Sequence, residues 1–63
     1  MFAVTFVTDT GKVVHKDKCY VVPYKYGNLC DFSGTIYSVQ EVNIDCIEYT
    51  ATVTLKKHHN HLM

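Results

Sequence analysis

The sequence predicts an all-β fold, a small antiparallel barrel or strongly bent sheet of four to five strands, and three observations carry that prediction. The first is Ile47–Lys57, where Ile47, Tyr49, Ala51, Val53 and Leu55 fall on one face of an extended chain and Glu48, Thr50, Thr52, Thr54 and Lys56 on the other. β-branched and aromatic residues dominate the stretch, and neither Gly nor Pro interrupts it. The second is Phe2–Thr8, which places Phe2, Val4 and Phe6 opposite Ala3, Thr5 and Val7 with the same period of two. The third is a change of phase. Apolar residues run on even numbers through Val42, Ile44 and Cys46 and on odd numbers from Ile47. One flat strand cannot change sides, so a bulge, a turn or a passage between sheet layers must sit near Asp45–Ile47.

In chain order, Asp9-Thr10-Gly11-Lys12 follows the first strand and supplies turn chemistry: Gly11 admits positive φ, and Asp9 can bond its own backbone. Val13-Val14-His15 returns as the second strand of a hairpin. His15–Lys18 is polar and reads either as a turn or as the exposed middle of one long strand. Cys19–Tyr26 reads as a third strand in which Tyr20, Val22, Tyr24 and Tyr26 share a face. Pro23 has no N–H to donate, so this strand belongs at an edge or bends there.

Gly27-Asn28 signals a turn, Leu29–Gly34 is irregular with Gly34 marking a turn or bulge, and Thr35–Val39 resumes as strand. Ser38–Glu41 fits the capping-box pattern of a helix start. Against a helix, Val42 and Ile44 are β-branched and alternate with Asn43 and Asp45, so extended chain is the preferred reading. The organisation expected is one β domain over residues 1–57 and a flexible His-containing tail over 58–63, with His58, His59 and His61. The likeness to SH3-like and OB-like barrels is one of size and strand count, and it carries no function with it.

Size and composition narrow the chemistry. A chain of 63 residues has room for one domain. It buries only about 60% of its unfolded surface, for a net stability on the order of 3–9 kcal/mol. Six Lys balance six acids, and Arg is absent. Nothing therefore steers the chain toward nucleic acid or anionic lipid, and the usual bidentate reader of guanine and phosphate is missing. Three cysteines without a C-x-x-C spacing are read as free thiols rather than a disulfide framework. Met1–Asp9 lacks a basic n-region and alternates, so it is not read as a targeting segment, and no run approaches the ~20 apolar residues of a membrane span. The expectation is a soluble protein in the cytoplasm, that of the host cell if the source is viral.

Catalytic and metal constellations are weak. Three tail histidines with a cysteine could present ligands to Zn²⁺, but the short paired spacings of structural zinc sites are missing, and no metal or cofactor is expected. His15 and Cys19 would lie ~13 Å apart along a strand, too far for direct activation. Asp31, Glu41, Asp45 and Glu48 show no acid–base spacing, and a core this small leaves little volume for a pocket of ~300–1,000 Å³. The chain reads as a non-enzyme.

Tyr20, Tyr24 and Tyr26, with Lys25 among them and Tyr37 nearby, exceed what such a core needs. Tyrosine offers a large amphipathic contact at low entropic cost, so these five residues are the candidate binding site. Neutral charge favours a protein partner over single-stranded nucleic acid stacked on the rings. A homodimer is also expected, since a small barrel gains core by adding a copy. The composition, six Lys without Arg and five Tyr alongside Asn and Ile, is read as an AT-rich coding source such as a phage or mobile element. The function expected is that of a small protein-binding modulator, an inhibitor of a host protein. The alternatives are a single-stranded nucleic-acid-binding module and a structural subunit of a larger assembly.

Overall fold

The computed structural model describes residues 1–58, and among them the chain forms five strands and no helix. These are β1 (Phe2–Thr8), β2 (Val13–Cys19), β3 (Leu29–Phe32), β4 (Thr35–Asp45) and β5 (Thr50–Lys57). They make one sheet in the order β2-β1-β5-β4-β3, curled into a half-barrel as the alternation implied. Three pairings are antiparallel, but the first and last strands, β1 and β5, run parallel. Of the expected tail only His58 is described, its N–H donating to the Ile36 carbonyl at 2.8 Å; His59 and His61 lie outside the described residues.

The hairpins follow from local chemistry. Between β1 and β2, Gly11 takes φ +91°, while the Thr8 hydroxyl accepts from the Lys12 N–H at 3.2 Å. The His15–Lys18 run is the exposed middle of β2 rather than a turn. Leu29–Gly34 is not irregular as expected: Leu29–Phe32 is strand β3, paired antiparallel with Thr35–Ser38, and Ser33-Gly34 joins it to β4 with both residues at positive φ, +56° and +82°, the two-residue turn that matches strand twist. The Asp31 carboxylate accepts from the Gly34 N–H at 3.1 Å. A four-residue turn, 46–49, joins β4 to β5 and is held by Asp45, whose carboxylate accepts from the N–H groups of Ile47 (2.9 Å) and Glu48 (3.1 Å). That turn is where the apolar phase changes. The strand expected from Ile47 therefore begins at Thr50, and Ile47 and Tyr49 leave the core face for the turn.

The concave face is the core. Val4, Phe6, Val39, Ala51, Val53 and Leu55 are fully buried, with Ala51, Val53 and Leu55 supplied by the alternation of β5. Two bulges keep the other strands in phase. Val14 is the extra residue opposite Phe6 and Val7, and it packs on the core with its neighbour His15 facing Phe6. In β4 the pairing skips Gln40, so inward residues change from odd (Tyr37, Val39) to even (Val42, Ile44).

Cys19–Tyr26 is not a strand beyond Cys19. Residues 20–28 form an irregular connection from one edge strand, β2, to the other, β3. The reason is topological: the chain must cross the open face between the outermost strands, and Pro23 in its middle suits a path without a ladder. Val22 and Tyr24 point down from it and pack on the core. The Tyr24 ring meets Phe6 edge-on at 4.9 Å. The two edges meet through side chains, His15 of β2 stacking on Phe32 of β3 at 4.7 Å and 26°.

Two stability tests follow. In a double-mutant cycle, His15→Ala and Phe32→Ala are expected to couple by about 0.5–1.5 kcal/mol in urea unfolding, whereas independent sites would sum without coupling. Ser33→Asn, which installs the preferred Asn-Gly turn, is expected to raise stability by about 0.5 kcal/mol, read from the same unfolding midpoint.

Candidate functional site

The five residues singled out by sequence do not form one surface. The connection crosses the open face of the half-barrel, so Val22 and Tyr24 point in while their neighbours point out, and the rings part company. Tyr20 (81% exposed) and Tyr26 (78%) stand in solvent. Tyr24 is half-buried against Phe6, and Tyr37, on the inner face of β4, is half-buried with its ring 6.3 Å from Phe32. Lys25 is exposed.

Tyr26 is presented by a built turn. The Asn28 N–H donates to the Lys25 carbonyl at 3.0 Å, and Asn28 Oδ1 accepts from the Lys25 N–H at 2.8 Å. Gly27 supplies the positive φ (+89°) that a turn of this kind requires at its third residue. The turn is tied to the sheet: Gly27 N–H donates to the Val39 carbonyl, and Val39 N–H to the Asn28 carbonyl, both at 2.8 Å.

More of the exposed large apolar side chains gather at the other end of the connection. Cys19 pairs with Phe2, Ala3 with Thr50, and Thr50 with Asp45, so the end of β2, the starts of β1 and β5 and the end of β4 share one end of the sheet. Met1, Tyr20, Val21, Ile44, Ile47 and Tyr49 are all exposed there, Ile47 at 86%. Tyr49 is anchored by Phe2, ring centroids 5.8 Å apart. Sequence reasoning placed Ile47 and Tyr49 on a core face. The signal that could have moved them outward is Asp45, whose short carboxylate is suited to capping a turn immediately after it.

The remaining features carry less. A shallow groove of ≈ 290 Å³ lies between β1 and β2, lined by Ala3, Val4, Thr5, Lys16, Asp17 and Lys18, apart from the tyrosines. Among the described residues no three His, Cys, Asp or Glu side chains gather as metal ligands. Cys19 and Cys30 are half-buried and Cys46 is exposed, all as free thiols. Burial raises the Cys30 thiol above its ordinary 9.0. Burial likewise raises the Tyr24 hydroxyl above 10.0, helped by the negative charge available to Cys19, Asp17 and Cys30 and by a hydrogen bond with Cys19. Comparison with protein families, with curated proteins and with solved structures finds no match for this chain.

Both raised groups hold their protons more tightly folded than unfolded. Their stabilising effect is therefore complete below the unfolded values of 9.0 and 10.0 and is lost as pH climbs through the folded ones. Thermal midpoints are expected to be flat from about pH 7 to about 8.5 and to fall above about 9, with Tyr24→Phe removing the part of the loss above about pH 10.

Proposed function

We propose that this chain is a small non-enzymatic protein-binding module that acts by occupying a partner's surface, an inhibitor or modulator of a host protein if its source is a phage or mobile element. The observation that carries the reading is the gathering of Met1, Tyr20, Val21, Ile44, Ile47 and Tyr49, all exposed, at one end of the half-barrel. Leaving so many large apolar side chains in water at one end costs solubility without helping the fold, and exposed apolar surface of this kind is what interaction sites use. Tyrosines with two χ angles are suited to such anchoring. The half-barrel supports them from below: Tyr49 rests on Phe2, and Tyr20 follows the last paired residue of β2.

Base stacking is the weaker reading. A single-strand binder needs co-facial rings along a basic groove, but here Tyr24 and Tyr37 turn inward and only Tyr20 and Tyr26 stand free along the connection. Local charge points the same way, since the acids beside the apolar end, Glu41, Asp45 and Glu48, outnumber Lys18, which pairs with Ala3 there.

The test is capture of a partner from the lysate of a plausible host, its identification, and an affinity series. Ile47→Asp and Tyr20→Ala are each expected to weaken the identified complex by tenfold or more while moving unfolding free energy by no more than about 0.5 kcal/mol, because both side chains are solvent-exposed. Retention of nucleic acid alone, or an affinity unmoved by both substitutions, would overturn the reading.

A further inference from the structure

Among the described residues the half-barrel has three free strand borders, and they are not equivalent. The outer border of β2 is blunted against pairing. Lys16 and Lys18 line its convex side, beside Thr5 and Ala3, and Asp17 faces inward opposite the buried Val4. Edge lysines and an inward charge are devices that discourage a further strand. The border of β3 is four residues long, too short to template much.

The third border is the outer side of β4 beyond Val39. β3 pairs with Thr35–Ser38, and the Gly27-Asn28 turn takes the two Val39 bonds. From Gln40 to Asp45 no backbone group on that side is bonded from another segment among the described residues, while β5 covers the inner side as far as Asp45. This stretch carries no Lys and no Pro. Its inward residues are Val42, half-buried, and Ile44, 48% exposed; its outward ones are Glu41, Asn43 and Asp45, with Glu48 in the turn beyond.

We infer that the outer edge of β4, Gln40–Asp45, is a strand-addition site for an extended segment of a partner protein that alternates apolar and Lys or Arg side chains. This deepens the protein-binding reading and rests on it. Main-chain hydrogen bonds to the open edge give the affinity, and alternate side chains give the selectivity. The apolar residues of the added strand continue the concave core beside Val42 and Ile44. Its basic residues lie on the convex side across from Glu41 and Asp45, where opposite charges on neighbouring strands attract.

Charge also selects against a second copy at this edge. Two β4 edges paired about Asn43 would set Glu41 directly opposite the other copy's Asp45, and any nearby register still gathers four acids on one face. A β2 edge from a second copy would match in charge through Lys16 and Lys18, but it would bring Asp17 against Val42 and Ile44 in the core layer.

The experiment uses the isotope-labelled chain and short synthetic peptides in which Val alternates with Lys, read by amide hydrogen exchange and chemical shift. The Val/Lys peptide is expected to slow exchange within residues 40–45, with an affinity that falls as salt rises. A Val/Glu peptide and a Val/Lys peptide with a central Pro are expected to leave those amides unchanged. Glu41→Lys, at an exposed position, is expected to weaken the Val/Lys peptide roughly fivefold. Protection at β2 instead, equal binding of the Val/Glu peptide, or no protection at all would overturn the inference. So would sedimentation as a dimer with residues 40–45 already protected without peptide. If the edge fails while Ile47→Asp still releases a captured partner, strand addition is wrong and the apolar-end reading stands.

Discussion

The structure depends on Phe6. It is fully buried, and three rings from three different segments close on it: His15 of β2 at 5.7 Å, Tyr24 of the connection at 4.9 Å and Phe32 of β3 at 4.9 Å. β2 and β3 are the two outermost strands of the sheet, so the rings stand where a closed barrel would have a backbone ladder. A five-stranded sheet this short cannot bury a core on one flat face. Curling doubles the apolar layer over itself, and a bulky ring at the centre gives the two borders something to meet on. The half-barrel is thus closed by aromatic packing and a strap of chain rather than by hydrogen bonds.

That arrangement explains the irregular parts. β1-β2 is one hairpin and β3-β4-β5 a meander, and the two are joined by the parallel β1-β5 pair, with the Ala3 N–H donating to the Tyr49 carbonyl at 2.9 Å. Hairpins supply only antiparallel neighbours, so the parallel seam requires a long crossover, and residues 20–28 provide it. The bulges at Val14 and Gln40 serve the same closure. Each adds a residue where a strand must bend and still keep its apolar side chains inward.

Closure through side chains leaves borders open, and the proposed functions lie on them. The end where β1 and β5 start has an apolar rim because the tight turn at 46–49 and the exit from β2 both end there, with no further strand among the described residues to cover them. The β4 border is open because β3 is four residues and β4 eleven. β2, by contrast, is guarded by lysines. On the proposed reading, one guarded edge and one unguarded acidic edge would let a small domain select a partner strand by charge as well as shape.

Much of this was legible in the residues. Period-two alternation gave β1 and the inner face of β5; Gly11 and Gly34 stand at turns; the change of phase before Ile47 required a bulge, a turn or a change of layer, and a turn is what stands there. A local pattern of that kind reports which side of a strand is buried, because the alternation is produced by the strand itself. Tyr20–Tyr26 shows where it fails. The segment alternates as a strand does, Val22 and Tyr24 inward and Val21 and Lys25 outward, yet among the described residues it pairs with no strand, since alternation records one buried face and not a hydrogen-bonded neighbour. Which strands neighbour one another, that β1 and β5 run parallel, that Tyr24 and Tyr37 turn in while Tyr20 and Tyr49 stand out, and which border of the sheet stays open are settled only when Phe6 draws the two edges together. Those are contacts between residues far apart in the chain, and no local period encodes them.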